Sequence, residues 1–422
     1  MKTTFYKLKA YYLVIVAGLF LITSCNKELE QFAPISTPVY PTGNGIAATI
    51  AANPNYSFYN ALITRAGTAT VANLNDLTKT FTLFATDNNG MKIFVNAASG
   101  GAVPLGAPDA TFLGFISGTL PVASAAGIVQ YNTVGTKFPA SSIGNTFPNY
   151  PLTTQIILDP TQPFVRMPIF PARGTISYVN NLPLIATDMA AANGIIHTAY
   201  SIAAPPSATL KTVIAGEPTL SYFRAAVTRA DSGAVGLSRF DSLLNYGVTN
   251  MTVLAPNDAA FQTLIFGLVY SQVLAATGSI PIAVAQANAA VALGPSIFSV
   301  PAFYGSLPAS TVKGIVAYHL LASLTSSTTT PYQPNIRVFS NNIPSTPLFF
   351  VKTLVNGGIA AHPGVMAQAT YTGPVATSVN FSSYGTFPPG GAPFSYTANS
   401  VTLDKHAVNG VYHIINKVLL PQ

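Results

Sequence analysis

The chain holds one cysteine, Cys25, and five histidines, and their placing decides which chemistries are open to it. A lone thiol excludes an internal disulfide and a cysteine-built metal site, which leaves Cys25 as a single acylation or nucleophilic position. Of the histidines, only His406 and His413 lie within ten residues of one another. That spacing puts their side chains on opposite faces of a continuous strand, a poor metal site unless the turn at Asn409-Gly410 folds them together. His197 and His413 each follow an Asn-Gly pair inside an apolar run, the pattern of a buried imidazole bonded to backbone. Asp231 with Asp241, or Asp404 with a distant partner, are the acids from which a glycosidase pair would have to come, and sequence does not give their separation. No Gly-x-Ser-x-Gly elbow, phosphate-binding Gly-x4-Gly-Lys loop or His-Glu-x-x-His helix occurs. Catalysis is therefore not expected, and no cofactor is implied.

Lys2, Lys7 and Lys9 precede an apolar run from Ala10 to Ile22, and Thr23 and Ser24 lead into Cys25. A charged start, a greasy core too short to span a bilayer and small residues at a cut site make residues 1–24 a secretion signal. Leu21-Ile22-Thr23-Ser24-Cys25 resembles the lipobox of bacterial lipoproteins, in which the peptidase cuts before a cysteine already carrying diacylglycerol. The mature chain would then begin at lipidated Cys25, with the thiol consumed. Each buried methylene contributes about 0.8 kcal/mol, so two or three acyl chains anchor stably. No stretch after Cys25 is expected to reach the length of a membrane span, so the body is attached to the membrane without crossing it.

Residues 25–54, rich in Pro, Thr and Gly, read as a lipidated N-terminus and flexible tether. Asn26-Lys27-Glu28-Leu29-Glu30 resembles the acidic export signal of surface lipoproteins in Bacteroidota, which implies an outer-membrane protein exposed on the cell surface. Only 7% of residues are charged, although mean hydropathy is +0.41 and 49% of residues are hydrophobic. Much of the net charge of +7 belongs to the three lysines of the signal, and the remaining basic residues form no cluster. Nucleic acid is thereby excluded as a partner. A surface of Thr, Ser, Asn, Gly, Pro and Tyr suits contact with neutral polar matter such as glycan.

Three boxes occur twice in the same order. Thr82 to Asn88 aligns with Thr252 to Asp258, Gly127 to Tyr131 with Gly314 to Tyr318, and Asn193 to Pro205 with Asn409 to Pro421. The offset grows along the chain, so copy two carries longer insertions, placed in Val269 to Phe298 and Tyr371 to Ser400. In the first box a β-branched strand ends at Pro256, and Asn257 is positioned to cap a helix bearing Phe261, Leu264 and Ile265. Thr311 reads as the cap of a second helix with Ile315 and Tyr318 on one stripe. Asn409-Gly410 reads as a turn, chosen because both residues tolerate positive φ, opening an alternating strand from Val411 to Leu420.

Taken together the boxes resemble the fasciclin domain, twice over. The second copy carries the Ala255-Pro256 step, the Tyr318-His319 pair and the Asn409-Gly410 box. The first has Thr86 for the proline and Asn132 for the histidine. The resemblance implies an α+β fold with two tandem domains, each a β-wedge or sandwich with several short helices, over residues 55–206 (divergent) and 216–421 (with long insertions). It also implies a membrane-anchored binding or adhesion module for glycan, matrix or another surface protein. From animal members it carries a receptor-binding role onto Tyr318 and His319, beside which core packing stands as the structural reading. The tyrosines Tyr371, Tyr384 and Tyr396 of the second insertion are a further candidate, as flat faces for stacking on sugar rings. A structural outer-membrane lipoprotein packing against partner proteins is the main alternative, and a groove-based hydrolase or lipid binder a lesser one. Replacing the acylated thiol tests the anchor directly: Cys25→Ala should abolish fatty-acid labelling of the chain and leave its precursor uncut.

Overall fold

The computed structural model describes residues 39–144, 151–321, 337–346, 349–359, 362, 364–386 and 393–420; Cys25, the signal and Pro421 lie outside them. Copy one builds one sheet from β1 (Phe81–Thr86), β2 (Thr133–Val134), β3 (Leu152–Ile157), β4 (Arg166–Ile169), β5 (Pro171–Arg173), β6 (Ser177–Val179), β7 (Leu182–Ala191) and β8 (Gly194–Ala199). Their order is β4-β3-β2-β1-β8-β7-β6-β5. Copy two repeats the plan with β9 (Met251–Pro256), β10 (Leu320–Leu321), β11 (Phe349–Val351), β12 (Val365–Thr372), β13 (Val375–Thr386), β14 (Pro393–Ala407) and β15 (Gly410–Ile415). Here the order is β10-β9-β15-β14-β13-β12-β11. Each lobe is an α+β body with its helices packed over the central strands.

The first and last boxes meet as a parallel pair in both lobes, with Phe81 opposite Gly194 and Met251 opposite Gly410. All residues of these four strands are buried, as expected of parallel strands covered on both faces. The asparagine before β8 or β15 pins the pair. Asn409 Oδ1 accepts from Leu210 N at 2.7 Å, and its Nδ2 donates to Leu244 O and Tyr246 O, both at 3.0 Å. Asn193 repeats this with Ile46 N at 2.9 Å, Leu74 O at 2.9 Å and Asp76 O at 3.1 Å. The following glycine is required by proximity: a Cβ on Gly410 would lie 2.3 Å from Met251 O, and one on Gly194 2.0 Å from Phe81 O. The expected turn is present, at Val408 and Asn409 between β14 and the strand that Gly410 opens, but neither Asn409 nor Gly410 adopts positive φ, so the glycine is explained by the close approach of a neighbouring strand.

Other expectations change as well. The tether ends before residue 54, because the helix Ile46–Ala51 buries Ile46 and Ile50 in the core of copy one. Copy two likewise starts before residue 216, since the helix Leu210–Ala215 places Leu210 and Ile214 in its core. Asn257 caps its helix as expected, accepting from Ala260 N at 2.9 Å. Thr311 lies inside a helix that already begins at Ala309. The closing strand stops at Ile415 and is buried on both faces, where an alternating run to Leu420 was expected. The insertion after Tyr371 is sheet, not loop, formed by the long pairing of β13 with β12 and β14. The helix Asp258–Thr277 is long and apolar enough to cross a membrane, which corrects the expectation that no such stretch follows Cys25.

From Thr42 onward the two lobes form one compact unit. At their seam lies Arg337, 1% exposed. It donates to Asn250 Oδ1 at 2.8 Å, His406 Nε2 at 2.7 Å, Ala407 O at 3.3 Å and Val408 O at 2.9 Å. Its guanidinium carbon stands 4.7 Å from the ring centroid of Phe170, a copy-one residue. Phe170, Phe339 and Val411 form a small core of their own across the seam. Tyr178 Oη donates to Pro374 O at 2.7 Å, and Asn341 Nδ2 to Asn180 O at 3.0 Å. Burial pulls Arg337 down to about 10, which still leaves it charged at neutral pH. Burial, reinforced by the Arg337 charge, holds His406 well below its usual range and so keeps it an acceptor.

The position matching Arg337 in copy one is Lys137, since the next residue in each lobe accepts from the β8 or β15 histidine. Lys137 is exposed. Arg337→Ala should therefore cost roughly 2–4 kcal/mol in denaturant unfolding, by stranding four acceptors, while Lys137→Ala stays within about 0.5 kcal/mol of the parent.

Candidate functional site

Tyr318 and His319 stand where the middle helix of copy two runs into β10, and both are buried. Tyr318 Oη donates to Gly364 O at 2.8 Å. His319 donates from Nδ1 to Ile315 O at 2.8 Å and accepts at Nε2 from Leu419 N at 2.9 Å, tying the helix end to the closing segment. Asn132 does the same work in copy one, its Nδ2 donating to Ile128 O and Ala203 O, both at 2.9 Å. The partner on the closing segment is a carbonyl in one lobe and an N–H in the other, so the residue type follows from which group must be satisfied. The receptor-contact role carried over by resemblance does not suit a pair packed in the interior, and the packing reading fits both lobes.

The other polar candidates are held in the framework. His197 and His413 each accept at Nδ1 from the N–H of Asp188 or Asp404 at 3.2 Å, and donate from Nε2 to Phe138 O or Val338 O at 2.9 Å. Asp231 accepts from Phe240 N at 2.7 Å and Asp241 N at 2.9 Å, and Asp241 pairs with Lys211 at 2.8 Å. Asp404 accepts from Ser340 N at 2.8 Å and from the Ser340 hydroxyl. His406 faces Arg337. Among the described residues no group of three or more His, Cys, Asp or Glu is placed to hold a metal ion.

Tyr371 lines a cleft between the lobes. This cleft of about 910 Å³ is lined from copy one by Arg173 and Thr175 and from copy two by Asn341, Asn342, Gln368 and Tyr371, among others. The volume falls within the range of small-molecule sites. Gln368 Nε2 donates to Ser345 O at 2.9 Å, and Tyr371 Oη to Ile343 O at 2.7 Å. Burial, with Tyr178 and Asp404 nearby, pushes the Tyr371 hydroxyl up to about 12, so it remains a neutral donor. Asn341 is 6% exposed, and its Oδ1 is buried without a hydrogen-bond partner. No carboxylate lines the cleft among the described residues. Such a wall can accept from and donate to hydroxyl groups and offers one cation, Arg173, already donating to Ala140 O. Tyr371 is thus part of a sheet, with its hydroxyl turned to a backbone carbonyl, and not part of an exposed aromatic loop. Tyr384 and Tyr396 lie on the paired strands β13 and β14, and their side chains are outside the described residues, as are Phe387 and Cys25. Sequence reasoning missed Arg173, Asn341, Asn342 and Gln368, which come from segments far apart in the chain and belong to no box.

No family model matches the chain, and no curated protein matches it. Among solved structures it is similar to a FAS1 domain pair from the insect cell adhesion molecule fasciclin I. Identity is 13%, coverage is 86% of this chain and 95% of that chain, and the TM-score is 0.30. A likeness of that size carries no argument by itself; the paired α+β lobes rest on the hydrogen bonds and registers above.

Burial is the largest cause lowering His197, His319, His406 and His413, with His319 taken from 6.5 to about 4. A histidine held neutral when folded takes up its proton only on unfolding. Its stabilisation is therefore complete above pH 6.5 and is lost as pH falls toward its folded value, at up to about 1.4 kcal/mol per pH unit for each such residue. Urea midpoints between pH 7 and 5 should fall steadily, and His319→Asn should reduce that slope while retaining more stability at pH 7 than His319→Ala.

Proposed function

We propose that this chain is a lipid-anchored protein of the outer membrane, facing outward, which works by contact and not by turnover, and that it holds a neutral, hydroxyl-rich ligand such as a glycan in the cleft between its lobes. The observation that carries this reading is the cleft lining: side-chain amides, hydroxyls and one guanidinium converge from both lobes. Charged ligands fit less well, because the only charge in the wall among the described residues is a guanidinium already engaged with a backbone carbonyl. The lipobox-like segment ending at Cys25 and the acidic residues after it support the anchor and the outward orientation. The ordered boxes resemble those of fasciclin domains, and that resemblance implies a broad adhesion role. We extend that broad role, contact with a surface or matrix, to this chain.

A glycan array probed with the full chain should show retention of neutral oligosaccharides. Gln368→Ala and Tyr371→Ala should each weaken it by roughly 1–3 kcal/mol, with the melting temperature of Gln368→Ala unchanged. Parent-like binding by both folded variants would move the site elsewhere.

A further inference from the structure

The stretch between Asp258 and Lys313, which holds the first insertion of copy two, carries no charged residue at all. Its first helix, Asp258–Thr277, has the hydropathy and length of a membrane span, yet only 22% of that window is buried against the rest of the protein. Gly278, at φ 65°, ends it, and the helix Ile280–Ala292 packs back along it as a hairpin. The base of the hairpin is fixed. Phe261, Ile265 and Val269 belong to the core of copy two, and Asp258 accepts from Tyr222 N at 2.9 Å and the Ser221 hydroxyl at 2.8 Å. A crossing of the bilayer would tear these away, so the helix does not span. The tip remains, with Ile280 59% exposed and Ile282 46% exposed around Pro281. Between the same boxes copy one has shorter helical pieces, Asn88–Ala98 and Asp109–Thr119, tied by a charged pair, Lys92 with Asp109 at 2.8 Å. The length and the uncharged surface of the hairpin are thus particular to copy two and not a requirement of the fold.

We propose that this hairpin is a second membrane contact, dipping its tip into the headgroup boundary of the bilayer to which Cys25 holds the chain. The inference rests on the anchor proposed above. Two observations select lipid as the occupant. A protein partner is ordinarily met through a polar and charged rim, and this surface has no charge with which to form one. The segment from Cys25 to Thr42 can extend at most about 60 Å, so an anchored body never leaves the neighbourhood of the bilayer, and a weak apolar contact becomes effectively intramolecular. A second copy would have to be found by diffusion.

The chain contains no tryptophan, so Ile282→Trp is a sole reporter. The full chain carrying it, acylated and reconstituted in phosphatidylethanolamine–phosphatidylglycerol vesicles, should lose most of its emission to brominated acyl chains. Ile185→Trp, an exposed position on β7, should keep its emission. Ile280→Asp with Ile282→Asp, both at exposed positions, should make the chain extractable from membranes at least roughly ten-fold more readily. Unquenched Ile282→Trp in a chain that still floats with vesicles overturns the hairpin contact and leaves the anchor standing. Quenching in a chain that mass spectrometry shows to lack acyl groups upholds the contact and removes the anchor. Loss of self-association in the double aspartate variant, without quenching in the tryptophan variant, would assign the tip to a second copy and overturn the proposal.

Discussion

Each lobe is closed by one buried side-chain amide. Asn193 or Asn409 joins three pieces of chain distant in sequence: the start of the lobe's first helix, the end of the helical segment before the central strand, and the head of the last strand. An amide is suited to the task because it accepts and donates at once, and the buried N–H and carbonyl groups it meets would otherwise be left without partners. The glycine that follows lets the parallel partner strand approach within a distance that any Cβ would forbid. The parallel register, the strand burial on both faces and the position of the β8 and β15 histidines all follow from that approach. Two copies of the device, diverged in most other residues, keep the same partners.

The lobes are joined differently. Arg337 enters the interior without a carboxylate, its charge spread over an amide oxygen, an imidazole, two backbone carbonyls and the face of Phe170. Such a site is expensive in desolvation and repays it only because nearly every guanidinium N–H finds an acceptor in a fixed fork. The planar, always-charged group suits this role better than the lysine found at the matching, solvent-facing position of copy one. The same short segment continues through Phe339 to Asn341, so the residues that lock the seam also floor the cleft. Cleft shape and lobe orientation are in that sense one property.

Low charge has two different outcomes in this molecule. In the cleft it leaves a wall of amides, hydroxyls and one guanidinium, with no carboxylate among the described residues. Around the hairpin it leaves aliphatic surface on a firmly rooted base. The sheet that holds Tyr371 also explains why aromatic content alone misled: β12 and β13 turn that tyrosine inward, where its hydroxyl satisfies Ile343 O.

The boxes were legible because they are local or repeat in order: the Asn257 cap, the strand before it and the Asn-Gly step each use residue types tied to a backbone requirement. The two-lobe plan followed from their repetition, and the α+β class was what their resemblance to fasciclin domains implied. The sequence also placed His197 and His413 inside, since an imidazole in an apolar run must bond to backbone. It did not reveal that His319 and Asn132 are the same strut, because that equivalence depends on whether a carbonyl or an N–H arrives from the closing segment. Nor did it reveal the cleft or the seam. Arg337 left a faint trace as the single Lys or Arg between Lys313 and Lys352, but its partners come from both lobes. Local propensity determined which elements form, whereas only the tertiary structure decided which faces meet, because burial and hydrogen-bond satisfaction across long separations are properties of the packed chain.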